Sequence, residues 1–164
     1  MILEVPVKNK LKNKGFTLVE LLIVITILSI LAAMAIPQLF PQTEKGRIGE
    51  AMTILSAMRQ SEEAYYLENG AYVAASAATP SDWQDKLRME SPNVSTSRFF
   101  TYRVSLTGGG TGFDAVAQRD TNVSAAVASL YKNKTFGINQ NGNWIDGSGG
   151  TGPHPLRPRN PDGS

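Results

Sequence analysis

The chain has 164 residues, 41% of them hydrophobic and 18% charged, which suits one globular domain with an appendage and excludes two compact domains. It has no cysteine, so disulfide frameworks, thiolate metal sites and cysteine nucleophiles are excluded; its single histidine, His154, rules out a multi-histidine metal centre within one chain. The net charge is +2, but Lys8, Lys10, Lys12 and Lys14 against Glu4 place +3 in the first fifteen residues. The remaining 12 basic and 13 acidic residues sum to −1, so the basicity belongs to the N-terminal segment and nucleic acid is not indicated as a partner.

Residues 16–36 read FTLVELLIVITILSILAAMAI, with Glu20 as their one charge. As a helix this stretch spans about 31 Å, close to the thickness of a bilayer hydrocarbon core. Four lysines precede it and only Lys45 and Arg47 follow closely, so the positive-inside bias places the N-terminus in the cytoplasm and everything after Ile36 outside. Membrane lipid is the first partner this predicts.

Pro37 and Pro41 then remove backbone donors, and Gly46 and Gly49 loosen the chain. Beyond them Ile48, Met52, Leu55, Met58 and Tyr65 or Tyr66 recur at helical spacing until Asn69-Gly70 ends the pattern. One long but interrupted helix is predicted over residues 16–68. Ser81-Asp82-Trp83-Gln84 has capping-box spacing, predicting a short helix to about Met89.

Residues 99–106 (FFTYRVSL) and 113–119 (FDAVAQR) read as strands of a hairpin turned by Gly108-Gly109-Gly110. Residues 135–140 and 143–145 read as a second hairpin, with Asn141-Gly142 forming a two-residue type I′ turn. Residues 121–134 carry no clear pattern. Residues 147–164 hold too few apolar side chains to pack and are expected to form a flexible Gly/Pro-rich tail. The predicted fold class is α+β, a long N-terminal helix whose first half is transmembrane and whose second half packs on a small antiparallel sheet.

A carboxylate at membrane depth costs roughly 2.5 kcal/mol or more, so Glu20 needs a partner. It stands in Lys14-Gly15-Phe16-Thr17-Leu18-Val19-Glu20, where a basic leader, a Gly-Phe junction and a glutamate five residues into an apolar helix resemble the class III signal of type IV pilins and type II secretion pseudopilins. The resemblance covers about residues 8–37. It implies cleavage between Gly15 and Phe16 by a prepilin peptidase, N-methylation of Phe16, and an ion pair between Glu20 and the Phe16 ammonium of a neighbouring subunit. Pro37 also matches the family's position, twenty-one residues beyond Phe16. The implied fold is pilin-like and the implied role structural rather than enzymatic: a homo-oligomeric helical filament with minor pilins, drawn from the inner membrane through a platform protein into an extracellular pilus or a periplasmic pseudopilus.

On this reading residues 1–15 are a cleaved leader, 16–36 the transmembrane and filament-core half-helix, 37–146 an extracytoplasmic globular domain and 147–164 the tail. Two other readings compete. Ala33-Met34-Ala35 resembles an ordinary signal-peptidase site that would release a soluble binding domain after Ala35, but the apolar run is long for such a signal and contains a glutamate. A membrane-tethered enzyme would need converging polar groups, and no catalytic residue stands out: Glu62, Glu63, Asp82 and Asp85 read as helix-surface charges, and Tyr65, Tyr66 and Tyr72 as anchors of a helix on a sheet. Asn139, Asn141, Asn143 and Asp146 have the alternation of a calcium loop, yet with one carboxylate among four the hairpin turn is the favoured reading, and no cofactor is expected. The GGGTG run at residues 108–112 lacks the Lys-Ser/Thr of a phosphate cradle and reads as a turn.

Overall fold

The structure, a computed structural model, describes residues 15–121 and 128–164. Helix α1 (Leu18–Asn69) is followed by a short π-helical turn at Asp82–Lys86, then β1 (Phe100–Thr107), a 3-10 turn at Gly108–Gly110, β2 (Gly112–Arg119), α2 (Ala128–Tyr131), β3 (Thr135–Asn139) and β4 (Trp144–Ile145). The chain divides into two compact units, the first ending at Leu39 and the second running from Phe40 to Ser164. The architecture is α+β, as the sequence predicted. Of the leader predicted over residues 1–15, all but Gly15 lies outside the described residues.

In the first unit the helix is apolar on every side and its side chains from residue 16 to 36 are all exposed. Among the described residues, α1 is the one helix long and apolar enough to cross a membrane. The expected interruption is absent: α1 is assigned helical continuously through Pro37, Pro41, Gly46 and Gly49. Proline's fixed φ is a helical one, so each ring removes a single amide without forcing the chain out of register. The two prolines stand four apart, so the i−4 acceptor that Pro41 leaves empty is Pro37's own carbonyl.

In the second unit the buried stripe of α1 is Glu44, Ile48, Ala51, Leu55, Met58 and Glu62, spaced alternately by three and four residues and carrying a glutamate at each end. Met52, expected on this stripe, is only partly buried. The stripe packs against one face of a four-stranded antiparallel sheet of order β1-β2-β3-β4. Strand β1 alternates, with Phe100, Tyr102 and Val104 inward, while β2 and β3 are buried on both faces. Tyr72 stacks on Tyr66 at 4.6 Å and tilts onto Phe113 at 4.9 Å, joining helix to sheet as expected of these tyrosines.

Several local expectations are corrected. The short helix stops at Lys86 rather than Met89, and Ser81 makes no side-chain cap; instead Met89 N–H reaches back to the Trp83 carbonyl at 3.0 Å, with Arg88 in the left-handed region closing the turn. The first hairpin forms as predicted, all three turn glycines having positive φ. The second hairpin is also present, but Asn141 does not take the positive φ of a type I′ turn. Gly142 N–H bonds to the Asn139 carbonyl at 3.0 Å and Asn139 N–H to the Asn143 carbonyl at 3.0 Å, so a three-residue loop with Gly142 at φ +82° makes the reversal. Both outer edges of the sheet are closed by an asparagine: Asn93 bonds the amide and carbonyl of Tyr102 on β1, and Asn160 those of Trp144 on β4. Of the stretch left unassigned in the sequence, α2 is described and residues 122–127 are not.

The largest difference concerns residues 147–164, part of which packs: His154 is buried, and Leu156 and Asn160 are partly so, while residues 161–164 are exposed. A Cβ on Gly149 would lie 2.7 Å from the Arg103 guanidinium, and one on Gly150 only 2.4 Å from the Asn133 carbonyl, so the glycine run lets bare backbone lie against the sheet where side chains would not fit. The chain then pairs beside β3, with Thr135 N–H on the Gly152 carbonyl and His154 N–H on the Thr135 carbonyl. His154 itself is fully buried, stacked on Tyr131 at 5.2 Å and edge-on to Phe136. Leu156 N–H donates to His154 Nδ1 at 3.3 Å, which leaves the proton of the neutral ring on Nε2, 3.3 Å from Glu44 Oε1. Arg119 Nε donates to the same oxygen at 2.7 Å and Arg47 Nη1 to Glu44 Oε2 at 3.1 Å. This buried cluster ties together three segments distant in sequence: α1, the end of β2 and the C-terminal segment.

Candidate functional site

Gly15, Phe16 and Thr17 precede the first helical turn, so the Gly15–Phe16 peptide bond lies in non-helical backbone. Phe16 is 88% exposed, and a Cβ built on Gly15 would meet no atom within 4 Å. Nothing in the described chain shields this bond from an enzyme.

The helix begins where Thr17 caps it. Thr17 Oγ1 accepts the Glu20 amide at 3.2 Å, while the Thr17 amide and hydroxyl both donate to Glu20 Oε2 at 2.8 Å. This is a reciprocal capping box, and the T-x-x-E spacing that signals it was legible in the sequence but was not read there. Two consequences follow for Glu20. Its carboxylate is drawn toward the positive end of the helix dipole, and Oε2 carries two hydrogen bonds while Oε1 has no partner among the described residues. The carboxylate is therefore held in place with one oxygen still open to a cation. Thr26 and Ser29 return their hydroxyls to the carbonyls of Leu22 and Ile25, which satisfies them without any further role. Pro37 lies inside α1, beyond the apolar run.

The remaining residues singled out in the sequence do not join this site. Asn139 Oδ1 accepts the amides of Asn141 and Asn143, both at 3.0 Å, and Asp146 pairs with Arg157 at 2.5 Å, so two of the four calcium-loop side chains serve the hairpin and the C-terminal segment. Glu63 pairs with Arg59 and Asp82 with Lys86, as surface charges do. Glu62 is no surface charge: it is fully buried and accepts the Val73 amide at 3.1 Å. Burial pushes its carboxyl up to about 7, against the opposing pull of that amide. Glu44 goes the other way. Burial alone would raise it, but the hydrogen bond from His154, the hydrogen bond and charge of Arg119 and the bond from Arg47 together bring it down to about 2. Both residues fall on the helical stripe of Ile48, Ala51, Leu55 and Met58, and that spacing was the available signal for their burial.

Residues 10–36 match the family model described as the prokaryotic N-terminal methylation motif. The chain is similar to a fimbrial protein of Pseudomonas aeruginosa, 44% identical over 72 residues, covering 44% of this chain and 46% of that protein. It is likewise similar to a type IV major pilin protein of Neisseria gonorrhoeae, 38% identical over 79 residues, covering 45% of this chain and 48% of the relative. The chain thus spans about half the length of the curated relatives it matches. A type IV pilin from Shewanella oneidensis aligns with a TM-score of 0.40 at 19% identity, covering 64% of this chain and 93% of that one. The resemblance to type IV pilins read from the Gly-Phe junction and Glu20 is borne out.

Proposed function

We propose that this protein is a structural subunit of a type IV pilus, cleaved between Gly15 and Phe16 by a prepilin peptidase, methylated on the Phe16 amine, and assembled through α1. The observation that carries the reading is the state of Glu20: a carboxylate in an apolar helix, one oxygen fixed by Thr17 and the other open. Cleavage creates an ammonium at Phe16, and methylation retains its positive charge. A neighbour's Phe16 ammonium on Oε1 would complete the carboxylate and set the axial register of adjacent helices, because a misplaced subunit leaves both charges unpaired in an apolar medium. Before assembly the subunit sits in the inner membrane with its N-terminus cytoplasmic and the second unit outside. Minor pilins and an inner-membrane platform protein are its partners in forming the filament. The relatives being fimbrial proteins and major pilins favours a pilus over a secretion pseudopilus and a structural over an enzymatic role.

Intact mass and N-terminal sequencing of the membrane-extracted protein test the processing: the mature chain starts at Phe16 with one added methyl. A terminus at Met1 or Ile36 overturns the proposal. Glu20→Ala tests the register pair. It leaves membrane insertion intact and sharply reduces the yield of sheared filaments, and normal filaments from this variant would remove Glu20 from the mechanism.

A further inference from the structure

The segment that follows α1 covers part of the free edge of β1. Ala75 exchanges two backbone hydrogen bonds with Val104, Val104 N–H to the Ala75 carbonyl at 2.9 Å and Ala75 N–H to the Val104 carbonyl at 3.3 Å. Three contacts hold this cover, one of them the Ser76 amide on Asp82 Oδ2 at 3.5 Å. On one side Glu62 Oε2 takes the Val73 amide, and on the other the Trp83 indole N–H donates to the Ser76 carbonyl at 2.9 Å. Of these contacts Glu62 and Asp82 titrate, and the Lys86 ammonium beside Asp82 holds that carboxyl below the usual carboxylate range, so it stays ionised throughout the neutral region. Two residues along β1, the Tyr102 edge is closed by the Asn93 side chain, which carries no titratable group.

Glu62 is unusual in what surrounds it. Its Oε1 is buried with no hydrogen-bond partner among the described residues, and no described ion pair reaches it. Tyr72 on the covering segment feels the charge of Glu62 and also of Tyr66 and Glu63 on α1, and Glu63 engages Arg59, the cation one turn before Glu62. From the sheet, Phe113 faces Tyr72. An ionised carboxylate in this place has one amide and no cation to compensate its lost hydration, whereas the neutral acid keeps the Val73 bond and needs far less.

We propose that Glu62 is a proton-controlled latch: neutral, it holds the Val73–Ser76 segment over β1; ionised, it must reach water, which withdraws the pin and uncovers the edge of β1 at Val104. An uncovered edge presents unpaired amide and carbonyl groups, the template on which strands add. The upward displacement of this carboxyl places the change near neutral pH.

Hydrogen exchange resolved by residue, on the full chain in detergent micelles, tests this. With rates corrected for intrinsic pH dependence, protection of the Val73, Ala75 and Val104 amides falls at least tenfold between pH 5 and pH 8, while Tyr102 keeps its protection. Glu62→Gln, which stays neutral, abolishes the loss. The latch is overturned if Val104 and Tyr102 lose protection together, if neither loses any, or if Glu62→Gln behaves as the wild type. The comparison of Val104 with Tyr102 within the wild-type chain decides the matter even if the variant fails to fold.

Discussion

Replacing Glu44 by glutamine removes a buried anion that bonds Arg119 and His154, both fully buried. The magnitude follows from the carboxyl's displacement. Lowered from 4.5 to about 2, it contributes on the order of 3 kcal/mol of folding free energy at neutral pH, at about 1.4 kcal/mol per tenfold change in proton affinity. Breaking a buried ion pair by removal of one partner costs about 3–5 kcal/mol, a range that overlaps the first figure because both count the same contacts. The folded carboxyl lies below the unfolded one, so this stability is fully present above about pH 4.5 and lost as pH falls toward 2. Urea unfolding of a fragment running from Phe40 to Ser164, the second compact unit, reads the effect directly. At pH 7 Glu44→Gln loses about 3 kcal/mol, and the gap between wild type and variant narrows as pH falls from 4.5 to 2. A loss under about 0.5 kcal/mol, the scale of an ordinary surface substitution, or a gap that stays constant down to pH 2, would refute the view that the cluster clasps the C-terminal segment to the helix.

Glu62 acts with the opposite sign. Its folded carboxyl is raised to about 7, so its stabilisation is complete below about pH 4.5 and is lost as pH rises to 7; unfolding experiments on the same fragment show stability declining over that interval, and Glu62→Gln flattens the decline. A decline unchanged in the variant assigns it to other groups. Within α1, two interior prolines at about 3 kcal/mol each and two glycines at about 1 kcal/mol each make residues 37–49 the weakest stretch of the helix, so amide exchange on the micelle-bound chain is fastest there. Uniform protection across α1 contradicts this. Calcium at millimolar concentration leaves the melting temperature of the fragment unchanged, because Asn139 Oδ1 is committed to two amides and Asp146 to Arg157; a rise of several degrees would restore the calcium-loop reading of Asn139, Asn141, Asn143 and Asp146.

Features set by short-range chemistry were legible without coordinates. The apolar run of residues 16–36, its single glutamate and the preceding lysines act through composition and length alone, and a membrane sorts chains by those same quantities. The hairpins at Gly108-Gly109-Gly110 and around Asn141-Gly142 were legible for the related reason that few residues tolerate the backbone angles of a reversal; the turn type around Gly142 was not, because it depends on Asn139 bonding two amides of the loop.

Tertiary structure decided the fate of the polar residues. Glu44, Glu62, Arg119 and His154 are residue types that ordinarily remain in water; the helical spacing that puts Glu44 and Glu62 on the buried stripe of α1 does not say what pairs with them, and nothing near Arg119 or His154 announces their burial. Their burial depends on partners 11 to 110 residues away, such as Val73 for Glu62 and His154 for Glu44. The same holds for residues 147–164. Local composition, poor in apolar side chains, describes a solvated tail, yet glycines at 149 and 150 permit a backbone approach that only a sheet already in place can receive. Hydrophobic periodicity records which side chains avoid water, whereas a buried ion pair or a close backbone contact records a complementarity between two surfaces, and that exists only once both have folded.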